Sequence, residues 1–142
     1  MVPEEVLRVK LFTDTAKLPE KAHHADGGYD LFADEAVRIK QGSRAKVRLG
    51  IGVGIPQGYV GLMLARSGLS VKKGSIVLAP VVDSGYTGAI HLVVINHGDG
   101  PWDINVGDKV AQLVISPCLD LPVVSVKKLD GERGSNGFGS SD

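Results

Sequence analysis

Residues 44–55, RAKVRLGIGVGI, alternate without a break. Ala45, Val47, Leu49, Ile51, Val53 and Ile55 share one face, and Arg44, Lys46, Arg48 and three glycines share the other. A period of two over this length predicts a half-buried strand pair or one long bent strand. Pro56-Gln57-Gly58 turns the chain, and Val60, Leu62 and Leu64 alternate again in a second strand. Residues 76–82 and 89–96 are two more apolar runs, separated by the polar stretch Asp83-Ser84-Gly85-Tyr86-Thr87-Gly88. That arrangement predicts a hairpin with a polar tip. Trp102, Ile104 and Val106 alternate before a turn at Gly107-Asp108, and Val110–Ile115 and Val123–Val126 complete the strands. Only Ser67–Lys73 has room for a short helix, with Ser67 as its cap.

Short strands recurring every ten or so residues, with turn signals between them, point to an antiparallel sandwich or barrel. Composition agrees: there are 19 glycines, and Val and Ile outnumber Leu and Met. The length of 142 residues is that of one domain. Sixteen basic and sixteen acidic residues cancel, so no global field draws the protein to nucleic acid or a membrane. An anionic partner must be held by local groups. Cys118 is the single cysteine, which excludes an internal disulfide or a multi-cysteine zinc site. No stretch reads as a signal peptide, and the apolar runs fall far short of the roughly 18 residues needed to span a bilayer. The expected location is the cytoplasm.

The tail differs from the rest. Residues 130–142 are rich in glycine and serine, with Phe138 as the one large apolar side chain. Such a segment buries too little to offset an ordering entropy of roughly 1–2 kcal/mol per residue. Its composition fits a frayed terminus, or a flap that orders over a ligand. The expected division is a core domain over 1–129 and a flap over 130–142.

Five segments carry candidate chemistry, and each has a plainer reading. Gly27-Gly28-Tyr29-Asp30 permits close backbone approach, or is a turn entering a strand. Ala65-Arg66-Ser67-Gly68 offers a guanidinium, a hydroxyl and backbone N–H groups suited to phosphate, or is a turn with a surface arginine. Asp83 and Tyr86 on the hairpin tip combine a general base with a stacking ring, or serve the turn alone. Gly107-Asp108-Lys109 turns the chain ahead of Gln112, whose amide faces a site or solvent. Arg133 to Ser141 has the glycines and hydroxyls of a phosphate nest, without the ending of a P-loop.

In this order, the five segments resemble the motifs of the trimeric deoxyuridine triphosphate nucleotidohydrolase (dUTPase) family. The resemblance runs from Gly28 to Ser141 and rests on GYDL at 28–31, RSGL at 66–69, the VVDSGYTG hairpin, GDKVAQL at 107–113 and RGSNGFGS at 133–140. It implies an all-β jelly roll, a homotrimer with sites at subunit interfaces, and Mg²⁺-dependent hydrolysis of dUTP to dUMP and pyrophosphate. That reaction would limit uracil incorporation into DNA and supply dUMP for thymidylate synthesis. By resemblance, Asp83 activates the water that attacks the α-phosphorus, and Tyr86 stacks on the deoxyribose and excludes a 2′-hydroxyl. Arg66, Ser67, Gly68 and Gln112 match phosphate contacts, and Pro80, Val81, Val82 and His91 fall in the hairpin that holds the nucleoside. In the tail, Phe138 is similar to the aromatic that lies over uracil, and Arg133, Gly139 and Ser140 match triphosphate contacts. Asp30 matches a supporting carboxylate behind the site. No side chain is implied as a direct metal ligand, since Mg²⁺ is held through phosphates and water.

The chain departs from the family pattern at Ala65, Gly85, Thr87 and Asn136, and at Pro80 and His91, which bear on uracil recognition. Two other readings share the fold. A dCTP deaminase would need a glutamate on the returning hairpin strand, and none lies between Glu35 and Glu132. A nucleotide-gated regulatory binding protein is compatible with the same residues.

Overall fold

The computed structural model describes residues 5–139. Among them the strands are β1 (Arg8–Leu11), β2 (Tyr29–Phe32), β3 (Val37–Ile39), β4 (Arg44–Arg48), β5 (Ile51–Gly54) and β6 (Tyr59–Leu64). A single helix, α1 (Ser67–Lys73), follows, then β7 (Ser75–Leu78), β8 (Val81–Val82), β9 (His91–Asn96), β10 (Trp102–Ile104) and β11 (Lys109–Pro117). The pairings are antiparallel and form a four-stranded sheet ordered β2-β11-β6-β8, a three-stranded sheet ordered β4-β9-β7, and the pairs β1-β5 and β3-β10. This is an all-β jelly roll. The core lies where the inner faces meet: Leu31, Val47, Leu92, Val94, Ala111 and Leu113 have no solvent exposure at all. No helix among the described residues is long and apolar enough to cross a membrane.

The long alternating run is two strands. Its apolar face is buried from Val47 to Ile55, as the period requires. The break comes at Gly50, whose φ of +70° is open to glycine and strained for other residues. A Cβ there would stand 2.5 Å from the Asp34 carboxylate.

Three local expectations need correction, and a fourth, the strand through Val60, Leu62 and Leu64, is borne out with its inner face supplied by other residues. Val60, Leu62 and Leu64 do lie on a strand, but the residues turned to the core are Gly61 and Met63. The inward position 61 suits glycine, because a Cβ there would crowd Ile55, Val82 and Leu113. Residues 76–82 are not one hairpin arm. β7 pairs with β9 up to Leu78↔Val93, and then the chain leaves. Ala79 sits at φ +49° and Pro80 has no N–H for a ladder, so Val81–Val82 crosses to pair with β6 in the other sheet. Helix α1 spans the expected residues, but Arg66 occupies the cap position and makes no side-chain cap bond, so Ser67 is inside the helix. Val123–Val126 forms no strand. Its side chains are exposed, and among the described residues no neighbouring strand is there to pair with it.

Asp34 closes the corner below the sheets. Its carboxylate is fully buried, and it accepts hydrogen bonds from the Thr13 and Thr15 hydroxyls, each at 2.6 Å. Arg48 Nε lies 3.3 Å from the same carboxylate and also donates to the Asp34 carbonyl. Burial pushes the Asp34 pKa up, but the two hydroxyls and the Arg48 guanidinium outweigh it, and the pKa is held below its ordinary value. The carboxylate thus contributes stability above its unfolded pKa, and that contribution is lost as pH falls through the lower folded value. Asp34→Ala removes the acceptor of two hydroxyls and the charge partner of Arg48, which keeps its hydrogen bond to the backbone carbonyl of residue 34. Thermal melting at pH 7 should show a loss on the order of 2 kcal/mol or more. The gap from wild type should begin to close as the pH drops below about 4, where the unfolded state protonates, and should vanish only below the lower folded value. An unchanged melting temperature at pH 7 would contradict the role given to this corner.

Candidate active site

Strand β11 is central to the first cavity. Gln112 pairs with Asp30 of β2 on one side and with Leu64 of β6 on the other. Beyond Leu64 the chain runs through Ala65 into α1, and Gln112 Nε2 donates to the Ala65 carbonyl at 2.9 Å. The amide can lie there because residue 28 is glycine: a Cβ would stand 2.3 Å from Gln112 Oε1. These elements enclose a cavity of about 300 Å³ whose lining includes Gly28, Asp30, Arg66, Ser67, Gly68 and Gln112. Asp30 is buried, and Arg66 Nε lies 3.1 Å from its Oδ1 and Lys109 Nζ 3.3 Å from its Oδ2. A guanidinium, a hydroxyl and an amide around a concave surface suit the oxygens of a polyphosphate.

The second cavity, about 340 Å³, lies along the hairpin. Val81, Val82, Asp83, Tyr86 and His91 line it, together with Lys46, Met63 and Ile90. The Tyr86 N–H donates to the Asp83 carbonyl at 3.2 Å, which closes the turn and leaves the carboxylate free. Among the described residues that exposed carboxylate has no hydrogen-bond or ion-pair partner. Tyr86 folds back, and its hydroxyl donates to the Ala89 carbonyl at 2.9 Å. Gly88 makes room for the ring, since a Cβ there would lie 2.7 Å from the hydroxyl. An apolar wall, a ring held in place and an unpaired carboxylate can seat a nucleoside and take a proton from water.

Not every expected residue joins these two groups. Pro80 does not line the second cavity; its carbonyl accepts from the Met63 N–H at 2.8 Å and holds the crossing strand. Arg133, Phe138 and Gly139 lie outside both cavities, and Phe138 is fully exposed at φ +52°. Ser140 lies outside the described residues. Among the described residues none lines both cavities, so the two groups lie apart on the chain. Sequence reasoning missed Lys46 and Lys109. Lys46 sat on a polar face that looked merely solvated, and Lys109 lay inside a motif whose chemistry was read from Gln112. Among the described residues no group of three or more His, Cys, Asp or Glu is placed to hold a metal ion.

Known proteins of similar sequence and structure point to one family. A family model described as dUTPase matches residues 14–142. The deoxyuridine 5′-triphosphate nucleotidohydrolase of Clostridium tetani is 39% identical over 141 residues, covering 97% of this chain and 97% of that one. Among solved structures, a Staphylococcus bacteriophage 80alpha dUTPase with dUPNHPP superposes with a TM-score of 0.91 at 31% identity, over 97% of this chain and 99% of that chain. A mutant dUTPase from phage phi11 of S. aureus, whose structure concerns the coordination of a structural Mg(II) ion, gives 0.82 at 31% identity, over 87% and 98%.

Two glycines in the first cavity should respond differently to a methyl group. Gly28→Ala forces the Gln112 amide off the Ala65 carbonyl and should cost about 1–3 kcal/mol in a denaturant melt. Around Gly68, inside α1, a Cβ would meet nothing within 4 Å, so Gly68→Ala should leave stability unchanged or raise it by up to about 1 kcal/mol. Equal effects would contradict the close approach at Gly28.

Proposed function

This chain belongs to the dUTPase family and hydrolyses dUTP to dUMP and pyrophosphate, and on that premise we propose how its residues divide the work. The observation that carries the assignment is the free Asp83 carboxylate beside the fixed Tyr86 ring. Uracil and deoxyribose occupy the hairpin cavity. Tyr86 stands against the sugar, where a 2′-hydroxyl has no space, and Val81 and Val82 present backbone groups to the base. His91 completes the wall. Asp83 takes a proton from water as the water oxygen bonds to the α-phosphorus. The bond from that phosphorus to the bridging oxygen breaks, and pyrophosphate leaves.

The phosphates lie against the other half-site, where Arg66 and Gln112 offer donors and Ser67 and Gly68 line the surface. A Mg²⁺ ion held by the substrate's phosphates would supply positive charge there and lessen their repulsion of the attacking water. The donor set fits this, because the one buried carboxylate in the cavity has both oxygens committed to cations. Arg133, Phe138, Gly139 and Ser140 close over the bound nucleotide as a flap, with Phe138 over uracil and the others at the phosphates.

The working unit is a homotrimer. Two features support it besides the separate half-sites. The outer face of β6 and β8 presents Leu64 and Val81, 40% and 57% exposed, beside Val60 and Leu62. After β11 the chain carries Leu119, Leu121, Val123, Val124 and Leu129, all at least 70% exposed. Both surfaces are apolar and would be covered by neighbouring copies. Because the substrate is a soluble nucleotide of the DNA precursor pool, the reaction belongs in the cytoplasm.

Asp83→Asn separates catalysis from turn chemistry. Asn is equally at home in the turn but cannot take the proton. Turnover of dUTP should fall by about 10²–10⁴-fold, while dUPNHPP binding, measured by calorimetry, should hold or improve as a negative charge is removed. Retained turnover would return Asp83 to a purely structural role.

The flap makes a separate prediction. Truncation after Gly131 removes a segment whose described residues are mostly exposed, so the melting temperature should stay within a few degrees of wild type. Hydrolysis should nonetheless drop strongly. A truncated protein with full activity would rule the flap out.

A further inference from the structure

Lys109 sits on its face of the sheet because of an irregularity in β11. Strict alternation would put Lys109 on the side of Ala111 and Leu113, inside the core. The register instead shifts between Lys109↔Phe32 and Ala111↔Leu31, and the extra residue, Val110, is buried along with Ala111. This bulge turns Lys109 out onto the face that carries Asp30 and Gln112. Bulges beside active sites commonly re-aim a side chain in this way.

The re-aimed ammonium reaches Asp30 Oδ2, while Arg66 holds Oδ1. One carboxylate, its side chain only 11% exposed, therefore has two cations. They are not equivalent. Arg66 lines the cavity beside Ser67, Gly68 and Gln112, and Lys109 does not. A guanidinium also matches phosphate in a forked geometry, whereas an ammonium is a point charge. If Arg66 turned to a triphosphate with no second cation present, a buried carboxylate would be left unpaired beside an incoming polyanion.

We propose that Lys109 is a positioning residue for polyphosphate binding: it stays on Asp30 as the resident counter-ion and thereby releases Arg66 to the triphosphate. The proposal rests on the reading of the Arg66 cavity as the phosphate half-site.

A double-mutant cycle on the full chain tests it, with dUPNHPP affinity measured by calorimetry and deoxyuridine as the ligand without phosphates. K109Q should weaken dUPNHPP binding about tenfold, and K109R should restore most of it. In the D30N background the same K109Q change should cost less than about twofold, because Lys109 acts through Asp30. Deoxyuridine binding should not move in any variant. In steady state, K109Q should raise KM with little change in kcat. Melting curves identify a variant that loses affinity through unfolding, and K109R then carries the comparison.

Several results overturn the proposal. Equal losses in both backgrounds would place Lys109 on the phosphates or make its effect general. No loss in K109Q would remove its role. A matching loss for deoxyuridine would show a merely structural effect. A wild-type chain that binds deoxyuridine but gains nothing from the phosphates would instead overturn the half-site assignment, and the proposal with it.

Discussion

The register of β11 is the constraint on which the cavity between Arg66 and Gln112 depends. This strand is hydrogen-bonded to β2 and β6 at once, and Gln112 is the residue where the two ladders meet Asp30 and Leu64. A slip of one residue would send Gln112 into the core and bring Leu113 out. The fully buried Ala111 and Leu113 prevent it, because their apolar surface has nowhere else to go. Core packing thereby becomes site geometry: the forces that bury Leu113 also aim Gln112 at the Ala65 carbonyl and align Asp30 with Arg66.

The hairpin side is held differently. Its strands belong to two sheets, with β7 and β9 in one and β8 in the other. The crossing at Ala79-Pro80 uses a backbone conformation that a non-glycine residue adopts at a cost. In return the polar tip is anchored from both layers, and Asp83 needs no side-chain partner to hold its place. A carboxylate left unpaired suits a proton acceptor better than one engaged in an ion pair.

Two buried carboxylates show how similar chemistry serves different ends. Asp34 is enclosed by two hydroxyls and an arginine from its own structural corner, and its interactions stabilise the fold. Asp30 is nearly as buried, but its partners are cations at the edge of a cavity, one of them facing the space where an anion would sit. The zero net charge of the whole chain hides this arrangement, since the relevant positive groups are local and few.

Periodicity was enough to read the β class, because alternation over Ala45–Ile55 and the turn residues that follow are local properties of the chain. Candidate residues such as Asp83, Tyr86, Arg66 and Gln112 were legible for a similar reason: their chemistry is written in their side chains, and their order matches a known family. Lys109 and Lys46 were not legible, because a lysine on a strand looks solvated until a bulge or a neighbouring sheet gives it a place in a site. The inward turn of Gly61 and Met63, the crossing at Val81–Val82 and the absence of a strand at Val123–Val126 were likewise decided by tertiary structure. Each depends on what stands opposite a residue in space: the alternating pattern records that a strand has two faces, and only the packed sheets determine which face is inside and whether a partner strand exists.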